Sequence, residues 1–434
     1  ARNPSDTTTR LDVIDLIVSG DLVDLPAGPA GVALGYQRRE ESRNADLSDV
    51  ANAEDLAFLI GDPDSSADRD VEAFFIESLV PIFDGDAGSL EAQLAVRYED
   101  YSSGFDSTDP KVGLLYRRGA NFSARATWGT SFRAPTLFQQ NVRDTSLNAT
   151  LDPFTNPNAP VFIGWTADPA PGLLPEEAET FNLGFTVSPL EDLVISLDYY
   201  NTQYEDRIAQ ESGQQLILEE AAALAGAGCT VADITSAPDP ACVALRNEQI
   251  IRDPGTGTPL RVNVNRFNAA SLETDGVDLE VSYRFDTGLG GFSVLHNTSF
   301  VNSFELDPGG GAAVIEGAGR RNNQNPLANP VPELRSNTVF SWVRSNWSAN
   351  LVARYIDEYE EDNGAPIDEW WVFDLNASFA IPVGDGEAQL TVGALNLFDE
   401  DPPDATGNVN DFGYDTKTHD PRGRMLMMRV QYGL

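Results

Sequence analysis

The feature that most constrains the fold of this chain is a two-residue alternation of apolar and polar side chains, in segments of about ten residues. In the segment 121–133, Phe122 and Trp128 share one face, whereas Arg125 and Arg133 share the other. Successive side chains of a strand point to opposite faces, so each segment predicts a strand with one apolar face. No apolar run reaches the roughly 18 residues of a membrane-spanning helix, which excludes that class but leaves membrane-spanning strands possible.

About fifteen such segments occur, and the connections between them alternate between short turns and long polar loops. A membrane barrel keeps its short turns on one side and its long loops on the other. A soluble sheet also alternates, but loops of about 30 to 60 residues count against a compact soluble domain. We therefore predict an all-β fold, a transmembrane antiparallel up-and-down β-barrel. The predicted strands are 10–23, 31–41, 71–83, 89–102, 110–118, 121–133, 179–188, 192–206, 271–285, 291–305, 334–344, 347–360, 369–382, 387–399 and 425–434. The predicted long loops are 42–70, 134–178, 207–270, 306–333, 361–368 and 400–424.

The last segment has the most specific pattern. Apolar residues occupy every second position up to the end of the chain: Leu426, Met428, Val430, Tyr432 and Leu434. Such a strand presents a continuous face to the lipid bilayer. The pattern is similar to the C-terminal signal that the outer-membrane insertion machinery reads, although those signals usually end in Phe. We assign this signal to Val430, Tyr432 and Leu434, and predict that the protein lies in the bacterial outer membrane.

The chain is strongly acidic, with 68 acidic and 28 basic residues and a formal net charge of -40. This balance argues against nucleic acid as a partner, because phosphate binding needs clustered Lys and Arg. Two interpretations remain open: a surface charge that keeps the protein soluble, and a loop surface that attracts cations.

Two cysteines, Cys229 and Cys242, lie close together in a stretch rich in Gly, Ala and Pro. A disulfide that closes one loop fits an oxidising compartment such as the periplasm or the cell surface. A metal or redox role is disfavoured, because no His lies nearby and the spacing differs from that of paired-thiol motifs.

Several motifs, in order along nearly the whole chain, resemble the β-barrel of the TonB-dependent outer-membrane receptors. The matching runs are RYEDYS at 97–102, DPKVGL at 109–114, RATWGTSFRAPTL at 125–137, PEEAET at 175–180, TDGVDLE at 274–280 and NLFD at 396–399. The family fold is a barrel of about 22 strands closed by an N-terminal plug domain. The resemblance implies that residues 1–434 are the C-terminal part of such a barrel, without the plug and the first strands. No signal peptide is visible at the polar N-terminus, so we expect a processed or truncated chain.

The resemblance also implies a function. Such a receptor takes up a scarce, bulky nutrient of the siderophore-iron, cobalamin or oligosaccharide class. Its energy comes from the TonB–ExbB–ExbD system, which acts through the plug. The alternative is a passive porin or a structural surface barrel. No enzyme activity is expected, because no nucleophile motif accompanies His419 in its loop. No bound metal or cofactor is expected either.

The polar faces and loops supply the candidate binding residues. Lumen-facing positions that could meet plug or substrate are Arg125, Arg133, Glu280, Arg284 and Arg354. The alternative is that they pair with one another across neighbouring strands. Loop aromatics that could stack on a substrate are Phe138, Phe154, Phe162 and Trp165, unless they pack the loops themselves.

Two further ligand classes are disfavoured by the loop sequences. Haem receptors with a related motif use a His in the loop that follows it, and no His lies between Pro135 and Pro175. The two histidines of the chain are His296, on a strand, and His419, in the last long loop. Acidic residues of that loop could hold a divalent cation, but they lack the fixed spacing of a calcium loop. These residues are Asp399, Glu400, Asp401, Asp404 and Asp411.

Overall fold

The computed structural model describes residues 5–53, 62–309, 313–322, 329–405 and 413–433. Leu434 of the predicted insertion signal and Asp411 of the acidic loop lie outside these ranges. The strands, numbered in chain order, are β1 (Ser5–Leu25), β2 (Gly28–Leu47), β3 (Ser65–Gly85), β4 (Gly88–Tyr101), β5 (Phe105–Arg118), β6 (Phe122–Arg133), β7 (Asp144–Asp152), β8 (Asn156–Ala167), β9 (Glu176–Leu190), β10 (Leu193–Gln210), β11 (Ile250–Arg252), β12 (Pro259–Val264), β13 (Arg266–Thr287), β14 (Gly290–Asp307), β15 (Ile315–Glu316), β16 (Leu334–Arg344), β17 (Trp347–Ile356), β18 (Tyr359–Glu360), β19 (Pro366–Ile367), β20 (Trp370–Val383), β21 (Gly386–Leu395) and β22 (Met425–Gly433). The helices are α1 (Asp49–Asn52), α2 (Leu137–Asn141), α3 (Gly213–Gly226) and α4 (Pro240–Val243), with a 3₁₀ helix at Val231–Ile234.

One large antiparallel sheet, which we call the wall, contains most of these strands. Its order is β1-β2-β3-β4-β5-β6-β9-β10-β13-β14-β16-β17-β20-β21-β22, and β15 adds to β14. Each predicted strand overlaps one strand of this path, so the predicted antiparallel β architecture is confirmed. Among the described residues, β1 pairs only with β2 and β22 only with β21. The two ends of the wall are therefore not hydrogen-bonded to each other.

The apolar face of the wall carries aromatic rings near both ends of its strands. In β17, Trp347 lies opposite Phe379 and Tyr355 lies opposite Trp371 of β20. The ring centroids of these two pairs are 4.4 and 4.5 Å apart. Eight residues separate Trp347 from Tyr355, which is about 26 Å along a strand and close to the thickness of a bilayer core. On β17 and β20 the aromatic rings thus lie at two levels, as in the aromatic girdles of membrane barrels.

The end of the chain keeps the predicted alternation. On β22, the side chains of Leu426, Met428, Val430 and Tyr432 are all exposed on the apolar face. No helix among the described residues is long and apolar enough to cross a membrane.

Two strand ends differ from the prediction because the backbone turns earlier than the apolar pattern ends. The strand predicted at 387–399 stops at Leu395, since Asn396 and Asp399 have φ of 50° and 62°, in the left-handed region. The strand predicted at 347–360 stops at Ile356, and Tyr359 instead pairs with Ile367 in the hairpin of β18 and β19.

The two longest predicted loops, 134–178 and 207–270, together contain a second, smaller folded unit. Its four-stranded sheet has the order β11-β12-β8-β7, with β12 parallel to β8. We call the unit formed by this sheet, α3, α4 and the 3₁₀ helix the loop domain. A buried core of Ile163, Ile217, Ile250 and Val262 joins sheet and helix. The two loops are therefore folded, because each of them buries apolar side chains of the other.

The disulfide predicted from the sequence lies in this domain. Cys229 and Cys242 are bonded, and Cys242 is buried against Leu224 and Ile234. The bond links the segment after α3 to α4, and so closes one loop.

Removing the bond by the double replacement Cys229→Ser and Cys242→Ser is expected to destabilise the loop domain by about 2 to 3 kcal/mol, because a short closed loop is released in the unfolded state. Limited proteolysis of the oxidised protein should show faster cleavage within 211–264 for the variant. A reductant should speed cleavage of the wild type and leave the variant unaffected. Equal cleavage of both proteins in the absence of reductant would contradict the prediction.

Candidate functional site

A cavity of about 910 Å³ lies on the polar face of the wall. Its lining comes from strands between β6 and β22 and from the segment 418–423 that precedes β22. A single cavity touches strands so far apart in the sheet because the wall curves with its polar face inward. The charged lining residues are Arg125, Asp198, Asp278, Glu280, Arg335, Arg354, Asp420 and Arg422. Three of them, Arg125, Glu280 and Arg354, were predicted from the alternation.

Arg125 lines the cavity from β6 and forms an ion pair across a neighbouring strand. Its Nη2 lies 2.5 Å from Oδ1 of Asp198 on β10. Strand β9 runs between them, and its Gly184 is in register with both residues. A Cβ on Gly184 would lie 2.0 Å from Asp198 Oδ1. The absence of a side chain at this position is what allows the ion pair to cross β9.

Arg354 lies on β17 and pairs with the adjacent strand. Its Nη2 is 2.8 Å from Oδ2 of Asp374 on β20. Asp374 is buried, and its Oδ1 also accepts a hydrogen bond of 2.8 Å from the backbone N of Asn396. Arg354 is thus held in place by a carboxylate that also fixes the end of β21.

Two lining residues have no such partner. Arg335 of β16 and Glu280 of β13 are exposed to the cavity, and neither forms an ion pair with any described residue. A fourth arginine, Arg422, pairs with Asp420 at 2.5 Å, and both side chains are well exposed. The other five charged lining residues, Asp198, Asp278, Arg335, Asp420 and Arg422, were not among the predicted candidates. Arg335 lies in the predicted strand 334–344, whereas the segment 418–423 lies in the predicted loop 400–424.

Three long loops meet beside the cavity in a buried group of polar residues, which we call the loop cluster. It consists of Arg321, Tyr359, Glu361, Asp415 and His419. Arg321 Nη1 lies 3.0 Å from Glu361 Oε2, and its Nε lies 3.7 Å from Asp415 Oδ1. The hydroxyl of Tyr359 donates to Asp415 Oδ2 at 2.8 Å. These bonds connect the loops that follow β14, β17 and β21.

His419 packs between Tyr359 and Trp370 and is 4% exposed. Burial lowers the pKa of His419 to about 4, against the opposing attraction of Asp415. Burial and the hydrogen bond to Asp415 raise the pKa of Tyr359. Both residues are therefore neutral near pH 7. Trp370 also lines the cavity, so the loop cluster contacts a residue of the cavity lining.

Helix α2, which begins at the last residue of the motif at 125–137, folds against distant parts of the chain. Its Phe138 ring lies 5.3 Å from the guanidinium carbon of Arg43 and 5.5 Å from that of Arg266. The side chain of Arg266 is buried and donates to the carbonyl oxygens of Gln139 and Val142. Arg43 lies on β2 and Arg266 on β13, so α2 connects two well-separated strands of the wall.

The remaining predicted residues lie outside the cavity. Arg133 forms an ion pair with Glu176 of the adjacent strand β9, and Arg284 has no ion pair among the described residues. Phe154 packs against the disulfide side of the loop domain. Trp165 packs on its other core and donates to Thr150 Oγ1 at 3.1 Å. Phe162 is 70% exposed on β8, so its ring is open to solvent.

The second histidine and the acidic loop have structural contacts. His296 on β14 is hydrogen-bonded through both ring nitrogens, to Thr338 and Thr298, at 2.8 and 2.7 Å. Asp399 accepts from the backbone N of Arg424 at 2.6 Å. Within the described ranges, no group of three or more His, Cys, Asp or Glu side chains is arranged to hold a metal ion.

Comparison with known proteins defines the class. Residues 2–397 match the family described as TonB dependent receptor-like, beta-barrel. The chain belongs to the TonB-dependent receptor family, whose members lie in the bacterial outer membrane. Among curated proteins, no relative of the chain was found.

Solved structures with a similar fold are outer-membrane receptors. A variant of the ferric enterobactin receptor of Pseudomonas aeruginosa aligns over 98% of this chain and 54% of its own, with a TM-score of 0.64 and 14% identity. The siderophore receptor PirA of Acinetobacter baumannii aligns over 97% of this chain and 55% of its own, with a TM-score of 0.60 and 12% identity. FpvAI, in its complex with pyocin S2, covers 99% and 50%, with a TM-score of 0.55 and 13% identity. The chain thus spans about half the length of these proteins, and identities this low show the fold alone.

Proposed function

We propose that the wall is part of the uptake path of a TonB-dependent receptor, and that its cavity binds a bulky nutrient at the cell surface. The observation that carries this proposal is the cavity of about 910 Å³, which lies beside the three loops joined by the loop cluster. Its volume is in the range of pockets for sizeable organic ligands. Its lining combines arginines, carboxylates and Trp370, which can orient such a ligand.

We further propose that the nutrient is of the siderophore-iron class, with cobalamin and oligosaccharides as the alternatives. One of the similar structures is named as a ferric enterobactin receptor and another as a siderophore receptor. Haem is disfavoured, because His419 is buried in the loop cluster and both ring nitrogens of His296 are hydrogen-bonded to threonines.

The partners follow from this role. Energy would come from the TonB–ExbB–ExbD system through a plug domain, and the strands would enter the bilayer through the outer-membrane insertion machinery. The exposed side chains of Val430 and Tyr432, at alternate positions of β22, support the insertion machinery as a partner. A plug and further strands preceding this chain stay a prediction, as does the absence of enzyme activity.

Filling the cavity tests the proposal. Asn337→Trp places a large ring in the cavity from β16. Ser341→Trp is the matched control, because it lies four residues further along the same face and outside the cavity lining. Uptake of iron from a panel of ferric siderophores should be measured in iron-starved cells that express the complete receptor. We expect Asn337→Trp to lower uptake about tenfold or more, as for loss of a well-formed binding contact, with Ser341→Trp close to wild type.

Deleting TonB in the same cells should abolish uptake through the wild-type receptor. Uptake that continues without TonB would indicate a passive barrel and contradict the proposal. Equal uptake by the two tryptophan variants, at equal levels in the outer membrane, would show that the cavity does not bind the nutrient.

A further inference from the structure

The charges that line the cavity are divided between its two sides. Arg335 and Arg354 lie on β16 and β17, and Arg422 lies three residues before the start of β22. These strands are close together at one side of the wall. All three positions are next to the long loops, since β16 begins at Leu334, β17 ends at Ile356 and β22 begins at Met425. This side of the cavity, with three arginines against one lining carboxylate, Asp420, is therefore cationic and lies at the long-loop end.

The opposite side is anionic. Asp278 and Glu280 lie on β13 and Asp198 on β10, across β14 from Arg335. Asp198 is neutralised by Arg125, and Asp278 accepts a hydrogen bond from Ser299. Glu280 has no ion pair among the described residues. This side of the cavity therefore has more carboxylates than cationic groups to pair with them.

One residue on each side is available to a ligand. Arg354 and Arg422 already pair with Asp374 and Asp420, whereas Arg335 pairs with no described carboxylate. On the anionic side, Glu280 likewise pairs with no described cationic side chain. An exposed guanidinium and an exposed carboxylate therefore face one cavity without contacting each other.

The strand register gives the spacing of these two groups. Arg335 lies opposite Ser299 of β14, and Ser299 lies opposite Asp278 of β13. Glu280 is two residues further along β13 than Asp278. Two inter-strand steps and two residues along a strand place the Cα atoms of Arg335 and Glu280 about 12 Å apart.

We propose that the cavity binds a ligand with separated charges, in which an anionic group binds Arg335 and a cationic group faces Glu280. The ligand class is zwitterionic and peptide-like, with its charges roughly 10 Å apart, the length of an extended tripeptide. The proposal rests on the uptake role of the cavity, and narrows the nutrient that it would accept. A neutral oligosaccharide would leave both charges without a partner, and a ligand that is anionic throughout would meet Asp278 and Glu280.

The test uses the complete receptor, purified in lipid nanodiscs, and four forms of trialanine. One has free termini, one has an acetylated amino end, one has an amidated carboxyl end and one has both ends blocked. Calorimetric titration should show that the free form binds about tenfold more tightly than either singly blocked form, a difference expected for one charge-assisted contact in a partly open site.

Two variants assign the contacts. Arg335→Gln should remove the preference for a free carboxylate and keep the preference for a free amine. Glu280→Gln should do the reverse. Arg284→Gln is the control, because Arg284 also has no ion pair with a described residue and lies on the polar face of the wall, but outside the cavity.

Each other outcome overturns the proposal. Equal affinity for all four peptides, or no binding of any of them, would show that the two charges are only solvated. If both variants lower thermal stability and leave the peptide preference unchanged, the residues hold a plug domain rather than a ligand. Any of these results together with TonB-dependent uptake would leave the proposed function intact. Charge-selective binding without TonB-dependent uptake would reject the proposed function alone.

Discussion

Replacing Arg252 with methionine is expected to lower the free energy of unfolding of the loop domain by about 3 to 5 kcal/mol. The guanidinium of Arg252 lies 2.5 Å from Asp152 Oδ2 and 2.6 Å from Glu220 Oε2, and all three side chains are at most 2% exposed. Methionine fills most of the volume but leaves two buried carboxylates without a counter-charge. Hydrogen exchange of the amides in α3 and β12 would measure the loss.

The control for this variant is Arg143→Met. Arg143 pairs with Asp168 in the same region at 2.9 Å, and their side chains are 31% and 61% exposed. An exposed pair contributes about 0 to 1 kcal/mol, so exchange should change little. Equal effects of the two variants on hydrogen exchange would contradict the assignment.

Acidification from pH 6.5 to pH 4 is expected to weaken the loop cluster through His419. Burial lowers the pKa of His419 to about 4 from its ordinary 6.5. Above pH 6.5 the residue is neutral whether the cluster is folded or open. Between pH 6.5 and 4 only the open state takes up the proton, so the folded state loses up to about 3 kcal/mol in this interval. Asp415, Arg321 and Arg335 are the charged groups that influence this residue.

Proteolysis of the loops at pH 7.5 and pH 4.5 would measure this effect. Cleavage near 413–423 should rise steeply in the wild type at the lower pH, and His419→Gln should remove most of the pH dependence. His296→Gln is the control, because His296 lies on β14 and contacts Thr298 and Thr338 rather than the loops. A His419→Gln protein that keeps the full pH dependence would show that other groups open the cluster.

Opening of the loop cluster would also bear on the cavity. Trp370 contacts His419 edge-on at 5.1 Å between ring centroids and lines the cavity. Asp420, the next residue after His419, lines it as well. The loop cluster thus holds two residues of the cavity lining in place. We therefore expect the affinity of the cavity for its ligand to fall over the same pH interval as the stability of the loops.

The residues that alternation placed correctly share a local cause. Whether Arg125 or Trp128 faces inward depends only on the two-residue period of a strand, and a chain with a buried face keeps that period throughout. For the same reason Glu280 and Arg354 could be placed on the polar face before any contact was known. The family motifs added the class of protein, since they are runs of adjacent residues.

What the sequence by itself determined is therefore the set of wall strands, their apolar and polar faces, and the paired cysteines, because each depends on residues close together in the chain. Only the tertiary structure decided the loop domain, the loop cluster and the division of charge in the cavity. Strand β8 pairs with β12 about 97 residues further on, and Arg321 meets Asp415 from another loop. Contacts of this kind arise when distant segments bury each other's side chains, and no local pattern of residues records which segments will meet.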